Sequence, residues 1–496
     1  MTCTVTMLNE SAAVCRSVTW DELNQADYQF ATPFKLMLPE GEVVVDQVAR
    51  LIPGRRMVVF GVFRGVPVVA KLFYDRTHAA RHAAKDSAGV EVLVQHKIPT
   101  PALLHQSVTA DNKIHALIFE RILNGQDLEK IWRNRESIED VLSVLEAVMI
   151  ELATQHVLGV EQKDMHMGNF LIAGKTIYTL DGADVIAHGE LLQKEDSMKN
   201  LSLFLSQLGS GVEMLQEHLF LYYAKARGWL LKPHDTADLN LQIKKWNESR
   251  WKSFEKKIFR NSTDFIAVKR MTMQGMMRRD HAGPELNAFM QNPEELFTRP
   301  DVVMLKNGRS ATVIKVMLDN RELVIKRYNV KNMWHRMRRM FRITRARKSW
   351  RLAQKLNLFY VNTALPVGFI EINIFGFRGK SYYVTENIGG SHVRNFLQAA
   401  QQNSDATVYV IQRTAALFRS LARLEMSHGD LKASNIIINA DLQPVLIDLD
   451  GALEHMSSLS LRKAWRDELQ RFMQNFEDLP AFSELIRQAL QEAQQR

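Results

Sequence analysis

Cysteine is nearly absent from this chain, and long apolar runs are absent altogether. The only cysteines, Cys3 and Cys15, sit ahead of the first basic residue, Arg16, and form neither a disulfide framework nor a zinc-ligand spacing. A reducing compartment suits such a chain. No stretch reaches the roughly 18 apolar residues of a membrane-spanning helix, which excludes an integral protein built on such helices. Glu10 precedes Arg16 and no long apolar segment follows, so no secretory leader is expected and the chain is expected in the cytoplasm. Two shortages are local. Acidic residues are missing from 331–351 and on through 358, and Pro53-Gly54-Arg55-Arg56 and Asn307-Gly308-Arg309 hold one glycine each.

The length, 496 residues, exceeds what one hydrophobic core organises, while 46% hydrophobic and 24% charged residues are ordinary for a globular protein. The chain instead repeats itself on the scale of a gene duplication. One copy reads Val68-Val69-Ala70-Lys71, then Asp164-Met165-His166-Met167-Gly168-Asn169, then Tyr178-Thr179-Leu180-Asp181. The other reads Leu323-Val324-Ile325-Lys326, then His428-Gly429-Asp430-Leu431-Lys432-Ala433-Ser434-Asn435, then Val445-Leu446-Ile447-Asp448. The lysine, the loop aspartate and the later aspartate recur after 255, 266 and 267 residues. Patterning predicts the same elements around each copy. In the first these are strands on either side of Arg64-Gly65, a helix over 78–95, a strand over 115–120 and a helix over 137–158. In the second they are strands over 311–317 and 322–328, a helix near 344–358, a strand over 381–385 and a helix near 406–426. Residues 271–300 lack clean periodicity. The boundaries read as an N-terminal extension at 1–35, a first domain at 36–268, a linker at 269–299 and a second domain at 300–496.

These residue types suit phosphoryl transfer, which needs charge neutralisation and alignment more than covalent help. A strand lysine, Lys71 or Lys326, grips phosphates. A loop aspartate, Asp164 or Asp430, takes the proton of an acceptor hydroxyl, and the asparagine five residues on, Asn169 or Asn435, reaches a metal. Asp181 and Asp448 offer a hard cation such as Mg²⁺ the oxygen it prefers. Gly54 and Gly308 allow close backbone approach to a phosphate, each a weak signal alone. His428 reads as a loop-shaping side chain without a proton-transfer role, and His166 lacks a second histidine at ligand spacing.

The chain resembles the protein-kinase-like superfamily and, within it, the lipopolysaccharide core heptose and Kdo kinases. The resemblance is carried by Leu305 to Val313, Leu323 to Asn329, Ser349-Trp350-Arg351 and His428 to Lys432, with Leu51 to Arg56 and Ile98 to Pro101 in the first half. It implies an α+β fold of two tandem protein-kinase-like domains, each with a small β-rich N-lobe and a helical C-lobe. It also implies ATP and Mg²⁺ as cofactors and a heptose hydroxyl of the lipopolysaccharide inner core, or of a lipid A-core intermediate, as acceptor. Kinases pair the strand lysine with a helix acid; Glu91 is the expected partner of Lys71, and Gln354 stands at the matching place for Lys326. Either another acid serves Lys326 or the lysine is held differently. The copies also differ at Gln162 against His428, and at Asp181-Gly182-Ala183 against Asp448-Leu449-Asp450.

Net charge is +9, and nine Lys or Arg fall between Lys331 and Arg351 among Trp334, Met337, Met340, Phe341 and Trp350. The segment is expected to touch the anionic inner face of the inner membrane, at about 1 kcal/mol per basic residue near the surface. No nucleic-acid module accompanies the charge, so nucleic acid is not an expected partner. Trp251, Phe254 and Ile258 fall at helical spacing and are expected to pack in the first domain. Two alternatives stand beside the sugar kinase: a kinase of another small-molecule or protein acceptor, and a nucleotide-binding pseudokinase scaffold in envelope biogenesis.

Overall fold

The computed structural model describes residues 16–329, 343–374, 377–400 and 404–495. The chain divides into two compact units, one formed by Met1–Leu205 with His218–Ile243 and the other by Ser206–Glu217 with Lys244–Arg496. Among the described residues, no helix is long and apolar enough to cross a membrane.

The first unit opens on an antiparallel six-stranded sheet. Its spatial order is Phe34–Leu38, Gly41–Ile52, Arg56–Phe63, Val66–Phe73, His115–Glu120, Leu103–Val108. Arg64 and Gly65 both take positive φ and close a two-residue hairpin in which Phe63 pairs with Val66. Alternation along Val66–Phe73 sends Val68, Ala70 and Leu72 into the core and leaves Lys71 on the face shared with Val69. Helix Ala79–Gln95 buries Ala79, Ala83, Asp86, Gly89, Val90 and Leu93, the stripe that a 3.6-residue period produces. Helix Glu139–Val157 then leads to the Asp164 loop and the hairpin of Phe170–Ala173 with Thr176–Thr179.

The second unit is built on a seven-stranded antiparallel sheet. The order is Phe265–Arg270, Met273–Arg278, Pro366–Ile374, Phe377–Glu386, Arg321–Tyr328, Ala311–Leu318, Val303–Asn307. Leu323 and Ile325 enter one core cluster, and Lys326 lies on the opposite face. Helix Arg345–Leu358 starts at a cap in which the Thr344 hydroxyl accepts from the Arg347 amide. Helix Asp405–Arg423 precedes the Asp430 loop, which runs into the paired strands Ile436–Ile438 and Pro444–Leu446.

Two expectations change, and a third falls mostly outside the described residues. Most of the segment read as a linker is ordered structure of the second unit: Met273–Arg278 pairs with Pro366–Ile374, and Leu286, Phe289 and Met290 are buried. Its strand hides four of six residues, so it shows no alternation to read. Trp251 and Ile258 belong to the core of the second unit, not the first. Of the basic segment, 330–342 lies outside the described residues, as do Cys3 and Cys15. Part of the described remainder is tied into the second unit. Trp350 is fully buried, Arg347 pairs with Glu371 at 3.4 Å, and Arg351 bonds both Glu255 and Glu454.

Candidate active site

In the second unit, strand Arg321–Tyr328 projects Lys326 toward the segment that follows Pro444–Leu446. Its ammonium lies 2.6 Å from Asp448 and 2.7 Å from Asp450. Asp448 holds φ at +61°, a left-handed conformation that is costly for a side-chain-bearing residue and concentrates at functional sites. Burial alone would raise its carboxyl, but the charge and hydrogen bond of Lys326, with the smaller pull of the Asp450 amide and His428, together hold it below the usual range. Asp450 is tied further: the Tyr328 hydroxyl donates to one of its oxygens, and the Ser349 hydroxyl lies 3.2 Å from the same atom.

The Asp430 loop is shaped from behind. Asn435 Nδ2 donates to the Asp430 carbonyl at 2.8 Å, which folds the loop back on itself. The His428 imidazole donates through Nε2 to the Ile447 carbonyl at 3.0 Å, one residue before Asp448. Buried Glu468 accepts from the amides of His428 and Gly429. Gly429 has φ at +79°, and a β-carbon there would overlap the Gly451 carbonyl, so no other residue fits. The Asp430 carboxylate itself stays half-exposed, 2.9 Å from Lys432 and 3.7 Å from Arg471.

The first unit repeats these contacts. Lys71 lies 3.3 Å from Asp181, whose φ is +63°. Asn169 Nδ2 donates to the Asp164 carbonyl at 2.8 Å. Gln162 donates to the Leu180 carbonyl at 2.8 Å, the contact that His428 makes in the second unit. The remaining acid differs from expectation. Lys71 pairs at 2.8 Å with the fully buried Asp86, while Glu91 is exposed. Five residues further along a helix is about 140° around its axis, so Glu91 points away from the lysine. Burial pushes the Asp86 carboxyl up, against the pull of Lys71. Burial would also raise Asp181, but the charges of Lys71 and Arg56 bring it below its ordinary value.

A cavity of about 1060 Å³ opens on Lys71 and Asp181, walled by Val58, Val69, Phe119 and Leu171. Its size and its apolar walls, with charged side chains around them, are those of a small-molecule site. Gly54, at φ +64° in the turn before Arg56–Phe63, is not among its lining residues, whereas Arg50 is. Gly308 lies in the turn between Val303–Asn307 and Ala311–Leu318, with its carbonyl accepting from Asn329 at 3.0 Å. Gln354 is fully buried, and neither of its amide atoms has a hydrogen-bond partner.

The motif spacing thus brings together Lys326 with Asp448 and Lys71 with Asp181, and it missed Asp86, Asp450, Tyr328, Ser349 and Glu468. Asp450 carried a signal, as an acid two residues beyond Asp448 in a copy whose helix has none. Among the described residues, no three His, Cys, Asp or Glu side chains cluster as a metal site. Asp448 and Asn435 offer hard oxygens that suit Mg²⁺ shared with phosphates, since that ion keeps few protein ligands. Residues 296–493 match the lipopolysaccharide kinase (Kdo/WaaP) family. No curated protein matches the chain.

Proposed function

We propose, from the premise that residues 296–493 are of the lipopolysaccharide kinase (Kdo/WaaP) type, that the protein is an ATP-dependent kinase acting on a heptose hydroxyl of the lipopolysaccharide inner core. Its architecture is read as two tandem protein-kinase-like domains. The observation that carries this is the double occurrence of one contact set: a strand lysine on a left-handed aspartate, and an asparagine bracing the carbonyl of a loop aspartate.

Bound Mg²⁺-ATP supplies the phosphoryl group and the metal that neutralises its charge. Lys326 presents an ammonium to the phosphates, held in place by carboxylates on two sides. Asp448 and Asn435 supply oxygens for the metal. Asp430, open to solvent, accepts the proton of the sugar hydroxyl as its oxygen attacks. Lys432 and Arg471 bring positive charge to that spot, where negative charge accumulates during transfer. The first unit has His166 in place of Lys432, so the second is assigned transfer, and the first nucleotide binding through Lys71, Asn169 and Asp181. Contact with anionic lipid is assigned to the basic segment 331–351.

The test is phosphate transfer from Mg²⁺-ATP to dephosphorylated lipopolysaccharide core by wild type, Asp430→Ala and Asp164→Ala. We expect Asp430→Ala to lose at least about 100-fold and Asp164→Ala to retain transfer. ATP turnover without transfer to core, or transfer that survives Asp430→Ala, would sink this assignment.

A further inference from the structure

The two copies differ at three positions that touch one another, and the differences compensate. In the first unit Lys71 is paired by Asp86 on helix Ala79–Gln95, and the loop after Asp181 continues Gly182-Ala183. In the second, Ser349 on helix Arg345–Leu358 stands in the place of Asp86, and the loop after Asp448 continues Leu449-Asp450. One carboxylate has left the helix, and one has appeared in the loop facing it. Helix and loop meet in both copies: Asp86 accepts from the Gly182 amide at 3.2 Å, and the Ser349 hydroxyl donates to Asp450 at 3.2 Å. The third position is the last residue of each lysine strand, Phe73 or Tyr328. Only the copy with the loop acid has a hydroxyl there, and that hydroxyl donates to the loop acid.

Packing explains why the acid moved. In the first unit the helix presses on the loop through two glycines, since a β-carbon on Gly89 would overlap the Gly182 carbonyl. That approach brings the short Asp86 side chain up to Lys71. Leu352 and Leu449, both buried, take the glycine places in the second unit. With leucines at both places the glycine-to-glycine approach is not available, and the carboxylate that reaches the lysine comes from the loop instead.

We infer that Asp450 is the positioning residue for Lys326, doing from the loop what Asp86 does from the helix, with Tyr328 and Ser349 holding it ready. One oxygen of Asp450 takes the two hydroxyls and the other takes the ammonium. This rests on the kinase reading for its consequence in catalysis, but the pairing itself is testable without turnover.

Amine reactivity reads the pairing directly. Acylation of Lys326 by a small activated ester, followed by peptide mass spectrometry on the nucleotide-free full chain, reports how strongly the ammonium is held. The Asp450 carboxylate lies 2.7 Å from the Lys326 ammonium and ties it down, so Asp450→Asn should be acylated at Lys326 several-fold faster, with Lys71 unchanged as the internal control. Asn keeps the size and accepts the Tyr328 hydrogen bond, which separates loss of charge from loss of fold. Restoring a carboxylate from the helix, as Ser349→Asp or Ser349→Glu on Asp450→Ala, should bring the slow rate back and recover phosphate transfer at least tenfold over Asp450→Ala alone. Equal acylation of Asp450→Asn and wild type overturns the proposal, and so does failure of both helix carboxylates to slow acylation. A wild type that transfers nothing, with the acylation pattern as expected, removes the kinase reading and leaves Asp450 as the partner of Lys326.

Discussion

His428 shows how a residue inside a reaction-like motif can serve backbone geometry alone. Its Nε2 donates to the carbonyl of Ile447, and in the first unit Gln162 makes the same bond to Leu180 with an amide that carries no transferable proton. Both hold the peptide just before a left-handed aspartate, where the backbone would otherwise relax. His428→Gln should therefore keep phosphate transfer within a few-fold of wild type. His428→Ala leaves the Ile447 carbonyl without its donor in a buried site and should cost about 1–3 kcal/mol of stability. Transfer rates and urea unfolding of both variants check this. A loss of transfer in the glutamine variant as deep as in Asp430→Ala would make His428 a proton carrier after all.

Elements were legible where their own residues pattern them. The hairpin at Arg64-Gly65 and the helices at 79–95, 345–358 and 405–423 follow from turn chemistry and from apolar stripes that one segment contains. Strand Met273–Arg278 escaped because most of its side chains are covered, so the tight hairpin it makes with Phe265–Arg270 shows no alternation to read. The site divides the same way. Lys71, Lys326, Asp181, Asp448 and the asparagines sit at spacings fixed by strands and tight loops. The acid partners depend on how near a helix comes to a loop, which Gly89 and Gly182 decide in one unit and Leu352 and Leu449 in the other.

One helix contact also carries a pH dependence. His156, near the end of Glu139–Val157, is buried between the Tyr223 hydroxyl at 2.6 Å and Asn200 at 3.1 Å, with Arg227 reaching the same tyrosine at 3.2 Å. Burial pushes its imidazole down to about 3, well below the roughly 6.5 of an unfolded chain. The neutral folded form is favoured above that value, and below it the unfolded chain binds the extra proton, so stability falls as pH falls. Between pH 7 and pH 5 this amounts to about 2 kcal/mol. Urea unfolding at the two pH values should show that extra loss in wild type and not in His156→Gln. Equal losses would mean that His156 is already charged in the fold.

At the scale of the whole chain, the repeat makes a claim that stoichiometry can decide. Both units keep a lysine on a left-handed aspartate and an asparagine beside the loop aspartate, so on the proposed kinase reading both keep groups suited to a metal-nucleotide. The cavity of about 1060 Å³ in the first unit has room for one. Besides the acid beside the lysine, the copies differ at the loop aspartate, where Lys432 stands 2.9 Å from Asp430 and His166 holds the matching place two residues after Asp164. A cation there acts on charge that develops during transfer and contributes little to holding the ground state. Nucleotide binding and transfer should then part company. Calorimetric titration with a non-hydrolysable ATP analogue and Mg²⁺ should find two sites per chain in wild type. Lys71→Met should leave one, with transfer to core persisting, whereas Lys326→Met should also leave one but lose transfer. A single site in wild type that Lys71→Met leaves untouched would mean that the first unit keeps the contact set for its fold and has given up the ligand.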